Sequence, residues 1–185
     1  MPIHVICLYV LCTINNLNET IMARQAFFSF HYQHDSWRVS KVRNMGVIEG
    51  NRPATDNDWE AIVSNGDNEI EKWIDRQMSG KSVLIVLIGE NTAGRKWIKH
   101  EIKKAWNDGK GLLGVYIHNI TDANNEKTGK GRNPFSDFKI GKQKLSDIVK
   151  TYDPPYNTSA YVYNHIKENL DDWIENAIQI RKNYG

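Results

Sequence analysis

Cysteine is almost missing from this chain. Both residues, Cys7 and Cys12, fall in the first dozen of 185, and none follows. The body of the protein therefore has neither a disulfide framework nor a cysteine-held zinc site, which fits a reducing compartment and sets a cytoplasmic expectation. The phosphate cradles of common nucleotide enzymes are missing too. There is no GxxxxGK[ST] loop and no GxGxxG after a strand, and no GxSxG nucleophile elbow. Charge of one sign is lacking: 24 basic against 22 acidic side chains leave a net +2. No basic stretch with interleaved aromatics is long enough to read as a nucleic-acid surface, so nucleic acid is not an expected partner. The six histidines show no metal-ligand spacing, and no metal is expected. The apolar run Ile3 to Leu11 is too short to span a bilayer. It has no Lys or Arg before it and no small-residue cleavage site after it, so it makes a poor signal peptide. No internal repeat is visible.

What is present suits one soluble domain. The length allows one full core and is short for two. Apolar residues make up 40% and charged ones 25%, as in ordinary globular proteins. Six tryptophans and eight tyrosines supply core, or a stacking platform for a base. Residues 1–21 differ in character from the rest, and Met22 opens an ordinary start, MARQAFFSFHY. The expectation is an extension outside the fold over 1–21, with a short membrane-associating tail as the alternative, and a single domain over 22–185.

The chain is organised around Lys81 to Asn107, KSVLIVLIGENTAGRKWIKHEIKKAWN. Val83 to Ile88 is short, continuously apolar and β-branched, which reads as a strand buried on both faces of a parallel sheet. Asn91 and Thr92 are candidate N-caps for the helix that follows. On that helix Trp97, Ile98, Ile102, Ala105 and Trp106 recur at spacings of three and four and mark the buried face. Glu101 shares a flank of this face, four after Trp97 and three after Ile98. One reading is a partly exposed rim carboxylate paired with Lys103 or Lys104, whose replacement the fold would barely notice. The other is an acid at the mouth of a cleft, because ligands of open α/β sheets sit outside the carboxyl ends of the strands, where the strand order reverses.

The remaining elements follow in order. Ala26 to Phe30 reads as a first strand, His31 to Asp35 as a polar loop, and Ser36 as the cap of a helix from Trp37 to about Asn44. Met45 to Asp58 reads mainly as loop, with a short strand conceivable at Gly46 to Glu49, and Asp58 caps a short turn through Ile62. Asp67 to Met78 is an amphipathic helix closed by Gly80, with Ile70, Trp73, Ile74 and Gln77 on one face. Gly111 to Ile117 is a third buried strand. A polar loop runs from His118 to about Leu145; loops this long inside a domain are functional or mobile. Ile148 to Tyr152 is an edge strand stopped by Pro154 and Pro155. Thr158 to Arg181 is a long final helix with Ile166, Leu170, Trp173, Ile174, Ala177 and Ile178 as its stripe. Strands alternating with helices give an α/β three-layer sandwich around a mainly parallel sheet.

Three stretches together resemble one family. FFSFHYQHDSWRVSKVRN (Phe27 to Asn44), VLIVLIGENTAGRKWIKHEI (Val83 to Ile102) and GVYIHNITD with KGRNPF (Gly114 to Phe135) are similar to the TIR-like proteins of the Thoeris antiphage system, the ThsB family. The resemblance covers Met22 to about Phe135 well and the C-terminal region loosely. It implies a flavodoxin-like TIR fold. It implies an enzyme that, once triggered, consumes NAD⁺ as substrate without a cofactor. The product would be an ADP-ribose-derived, typically cyclic, signalling nucleotide that activates a separate effector, the ThsA protein. A phage-derived trigger and self-association are further partner expectations. The family's catalytic glutamate lies in its W-x-x-x-E-I segment, and only Glu101 matches it here. Ser29, Phe30, His31 and Tyr32 would end at the same cleft and contact NAD⁺, and Trp97 would wall it, although core packing accounts for each as well. The region from Gly46 to Asn57, where a TIR domain carries a loop over its site, does not align and contributes no residues. Two other readings stay open: a non-catalytic interaction module, and a nucleotide-binding flavodoxin-like protein.

Overall fold

The computed structural model describes residues 24–43, 45 and 66–185. The expectations for residues 1–21, for Gly46 to Asn57 and for the turn after Asp58 lie outside them.

Strand β1 (Ala26–Ser29), β2 (Val83–Ile88), β3 (Gly111–Tyr116) and β6 (Lys150–Tyr152) form a sheet in the order β1-β2-β3-β6, every pair parallel. All residues of β1, β2 and β3 are buried, as expected for strands covered on both faces. The two-residue period then sorts side chains between the layers. Ala26, Phe28, Val83, Ile85, Leu87, Leu113 and Val115 pack with helix α1 (Tyr32–Arg43) and the long C-terminal helix. Phe27, Leu84, Val86, Ile88, Leu112 and Tyr116 pack on the other side. That side is covered by α2 (Asp67–Met78) and α3 (Lys96–Asn107). The loop after β3 holds a 3-10 turn at Pro134–Asp137 and a small hairpin, β4 (Lys139–Ile140) with β5 (Gln143–Lys144). Next come α4 (Leu145–Ile148), strand β6 and α5 (Ser159–Lys182).

The observed bounds follow the sequence signals closely where periodicity is strong. β2 and α2 match residue for residue, and Gly80 and Gly109 close α2 and α3 at φ 73° and 75°, where a side chain is strained. Two expectations are corrected. α1 begins at Tyr32, not Trp37, so His31 to Asp35 is not a loop; the Asp35 amide donates to the His31 carbonyl at 2.9 Å and starts the helix four residues before Ser36. Asn91 and Thr92 do not cap α3, whose first residue follows Arg95. Thr92 is instead fully buried: its hydroxyl accepts from the Gly89 amide at 2.9 Å and donates to the Leu87 carbonyl at 3.3 Å, closing the turn after β2.

Candidate active site

Glu101 is set by the phase of α3. Trp97, Ile98, Ile102, Ala105 and Trp106 seat the helix on Leu84, Val86, Ile88 and Leu112. Its outer side is tied to α2, with Lys96 paired to Asp67, and with His100 and Lys104 both on Asp75 at 3.3 and 3.7 Å. The flank carrying Glu101 turns inward, and the residue is 0% exposed. The rim position is therefore corrected. Lys104 bonds Asp75 and Asp108, not Glu101. Among the described residues neither carboxyl oxygen of Glu101 has a hydrogen-bond partner.

Ser29 meets Glu101 because of strand parity. In β1, Ala26 and Phe28 face the α1 layer, so Phe27 and Ser29 face α3. Ser29 pairs with Val86 at the center of β2 and is fully buried. Its hydroxyl stands beside the Glu101 carboxyl and partly favours the charged form, but without the geometry of a closed hydrogen bond. Burial dominates and pushes the Glu101 carboxyl well above the usual carboxylate range. A buried acid held off its ordinary proton affinity and lacking a structural ion-pair partner is the pattern of a functional group.

The other candidates separate. Phe30 belongs to the apolar cluster of the α1 layer, on the far side of the sheet from Glu101. His31 is buried, and its ring stacks on that of His34 in α1 with the centroids 4.7 Å apart. The backbone of Tyr32 opens α1; its side chain is outside the described part. Trp97 is core, 3% exposed, with the Lys96 ammonium 4.5 Å above its ring. The four described strands run without a reversal of order, so the site does not sit at a switch point among them.

Sequence reasoning missed Asp35, which it had placed in a loop. The signal was there once α1 is extended: Asp35, Val39 and Val42 share one helical stripe. Asp35 is 1% exposed and lies where a Gly89 side chain would be, 2.2 Å from the position a Cβ would take. Its pKa is raised to about 6, chiefly by burial and also by Glu90, against the opposing pull of Arg38 and His34. Glu90 itself reaches across to the loop after β3, accepting from the Thr128 hydroxyl at 2.7 Å and the Gly129 amide at 3.4 Å. Gly131 then lies against the turn so closely that a Cβ would come within 2.1 Å of the Gly89 carbonyl oxygen.

The family described as "Thoeris protein ThsB, TIR-like domain" matches residues 27–122, a span that contains β1, β2, β3 and Glu101. The chain belongs to the Thoeris ThsB TIR-like family. A curated relative from Bacillus cereus (strain MSX-D12), named "Putative cyclic ADP-D-ribose synthase ThsB1", is 36% identical over 131 residues, covering 68% of this chain and 67% of its own. The resemblance and the flavodoxin-like α/β fold expected from the sequence are thereby borne out. Among the described residues no helix is long and apolar enough to cross a membrane.

Proposed function

We propose that this ThsB-family chain is a cytoplasmic enzyme that cleaves NAD⁺ and converts it to a cyclic ADP-ribose-derived nucleotide, which acts as an antiphage signal on a separate ThsA-like effector. The observation that carries the reading is Glu101: a sealed acid beside Ser29 at the family's W-x-x-x-E position. Breaking the bond between nicotinamide and ribose builds positive charge on the ribose ring, as in glycoside cleavage. A carboxylate placed there stabilises that charge where water is excluded and the field of a single charge is strong. Nicotinamide is already a good leaving group, so the chemistry asks for neither a metal nor a paired general acid. Burial favours the protonated form of Glu101, and the sealed carboxyl has to be opened to substrate before it can stabilise that charge. A resting enzyme woken by a phage-derived trigger accords with this.

The test is Glu101→Gln in the full chain, incubated with NAD⁺ and lysate from infected cells and followed by mass spectrometry. The amide keeps the volume and removes the charge, so signal production should fall on the order of 10²-fold or more, the scale of removing one electrostatic stabiliser. A folded Glu101→Gln protein that makes signal at the normal rate ends the reading and leaves the interaction module in its place.

A further inference from the structure

Ser29 is a polar residue placed where the fold asks for an apolar one. It ends β1 on the face turned to α3, and that layer is built from Phe27, Val86, Ile98 and Ile102. It is 0% exposed, as is Glu101. A buried serine normally gives its hydroxyl to a nearby backbone group. Among the described residues the Ser29 hydroxyl has no such partner. The group beside it is the Glu101 carboxyl, whose two oxygens are unpartnered as well. Burying a hydroxyl and a carboxyl in this way costs stability, and alanine at position 29 would lessen the cost. Stability alone does not account for the pair.

The surroundings leave the two groups to each other. The charged side chains of α3 turn elsewhere: Lys96 to Asp67, Lys99 to Asp137, His100 and Lys104 to Asp75. The strand residues that face α3 around Ser29 are Phe27, Val86 and Ile88, all apolar. Among the described residues Ser29 is thus the hydrogen-bonding side chain that acts on the Glu101 carboxyl. A hydroxyl can do so in either protonation state. It accepts from the carboxylic acid while the site is sealed, and by rotating it donates to the carboxylate once the proton has left. The second bond is the stronger, because an ionised acceptor roughly doubles it.

We infer that Ser29 is the positioning residue for Glu101: its hydroxyl donates to the carboxylate and holds it toward the ribose, instead of touching NAD⁺ itself. The inference rests on the NAD⁺-cleaving reading above. β1 gives the hydroxyl a fixed place, since Ser29 is held in parallel register against Val86 in the middle of the sheet. A bond that serves the charged carboxylate acts in the transition state, so its loss lowers kcat and leaves KM in place.

Two variants separate the hydroxyl from the space it fills. In the full chain, under conditions in which the wild type consumes NAD⁺, Ser29→Ala should lower kcat about 10- to 100-fold and keep KM within about threefold, the scale of one hydrogen bond to a charged group. The rise of its activity with pH should move to higher pH, because the carboxylate has lost its donor. Ser29→Thr keeps the hydroxyl and should restore both. Ser29→Cys, a weak donor of similar size, serves in place of an alanine variant that does not fold. A second readout needs no substrate. The infrared carboxylic-acid band of Glu101, identified by its absence in Glu101→Gln, should persist to higher pH in Ser29→Ala than in wild type or Ser29→Thr. A raised KM with kcat and pH profile kept in Ser29→Ala puts Ser29 on the substrate and overturns the inference. Wild-type kinetics in Ser29→Ala, a folded Ser29→Thr as impaired as the alanine variant, or a band that titrates alike in all three proteins overturns it too. A wild type that consumes no NAD⁺ under any trigger overturns the reading beneath it instead, while the band still decides whether Ser29 acts on Glu101.

Discussion

Glu101 binds its proton more tightly in the folded chain than in the unfolded one, because folding strips water from it and, among the described residues, brings only the Ser29 hydroxyl beside it in return. The sign of the stability effect follows. The native state holds more protons than the unfolded state above the ordinary carboxyl range, so stability falls as pH rises from about 4.5. Asp35, raised from 3.8 to about 6, adds a decline of the same sign between those values. Urea melts of wild type and Glu101→Gln across pH 4 to 8 should therefore diverge, with the wild type losing ground as pH rises and the mutant curve flatter. Parallel curves would mean that the carboxyl gains a compensating partner on folding. Thr92 carries a different energetic role. Thr92→Val keeps the shape, removes both hydroxyl bonds and leaves the Gly89 amide without its acceptor. Such a loss costs about 1–3 kcal/mol, to be read as a lower midpoint in thermal melting.

Among the elements, those that bury a full stripe were legible. Val83 to Ile88 has no polar residue to break it, and Asp67 to Met78 and the stripe of α5 repeat at helical spacing, so one interaction, burial of the apolar face, decided them. α1 was misread because YQHDS is polar throughout and Ser36 offers a cap. What carries the helix back to Tyr32 is tertiary: Phe30 and Val39 anchored in one cluster, and Arg38 drawn to the carbonyls of Ile120 and Glu126 in the loop after β3. The helix start in turn decided the site. Read as loop, Asp35 had no phase; read as helix, it falls in line with Val39. The position of Glu101 was legible from its spacing to Trp97, but its depth was not, because nothing local tells a flank that faces solvent from one that faces Ser29. The two loops joined by Glu90 give a test at this scale. Gly131→Ala forces a methyl onto the Gly89 carbonyl oxygen. Overpacking of this kind costs about 1–3 kcal/mol, and each kcal/mol lowers the melting temperature by roughly 2–4 °C in a chain of this size. An alanine variant that melts with wild type would mean that the loop after β3 shifts freely from the turn.

Taken as a whole molecule, the fold is a wall with an apolar mass on each side. Among the described residues the apolar clusters on the two sides share no buried side chain: Ile166 and Ile174 belong to one cluster, Ile98 and Ile102 to the other. Parity along the strands assigns each inward residue to one mass only. The two acids respect the same division, Glu101 rooted in one layer and Asp35 in the other. The wall therefore separates the two interiors, and the layers meet past its end, where Ile180 of α5 packs on the α2 and α3 side and the Arg181 guanidinium donates to the Trp106 carbonyl at 3.0 and 3.1 Å. Ile102→Ala and Ile166→Ala, both at sites with 0% exposure, should each cost about 2–5 kcal/mol. The double mutant should lose their sum to within about 0.5 kcal/mol, as distant sites with no shared partner do. A chain built this way can accept substitutions in its two interiors separately, each tested by selection without regard to the other, while the single edge where both layers end admits no such freedom.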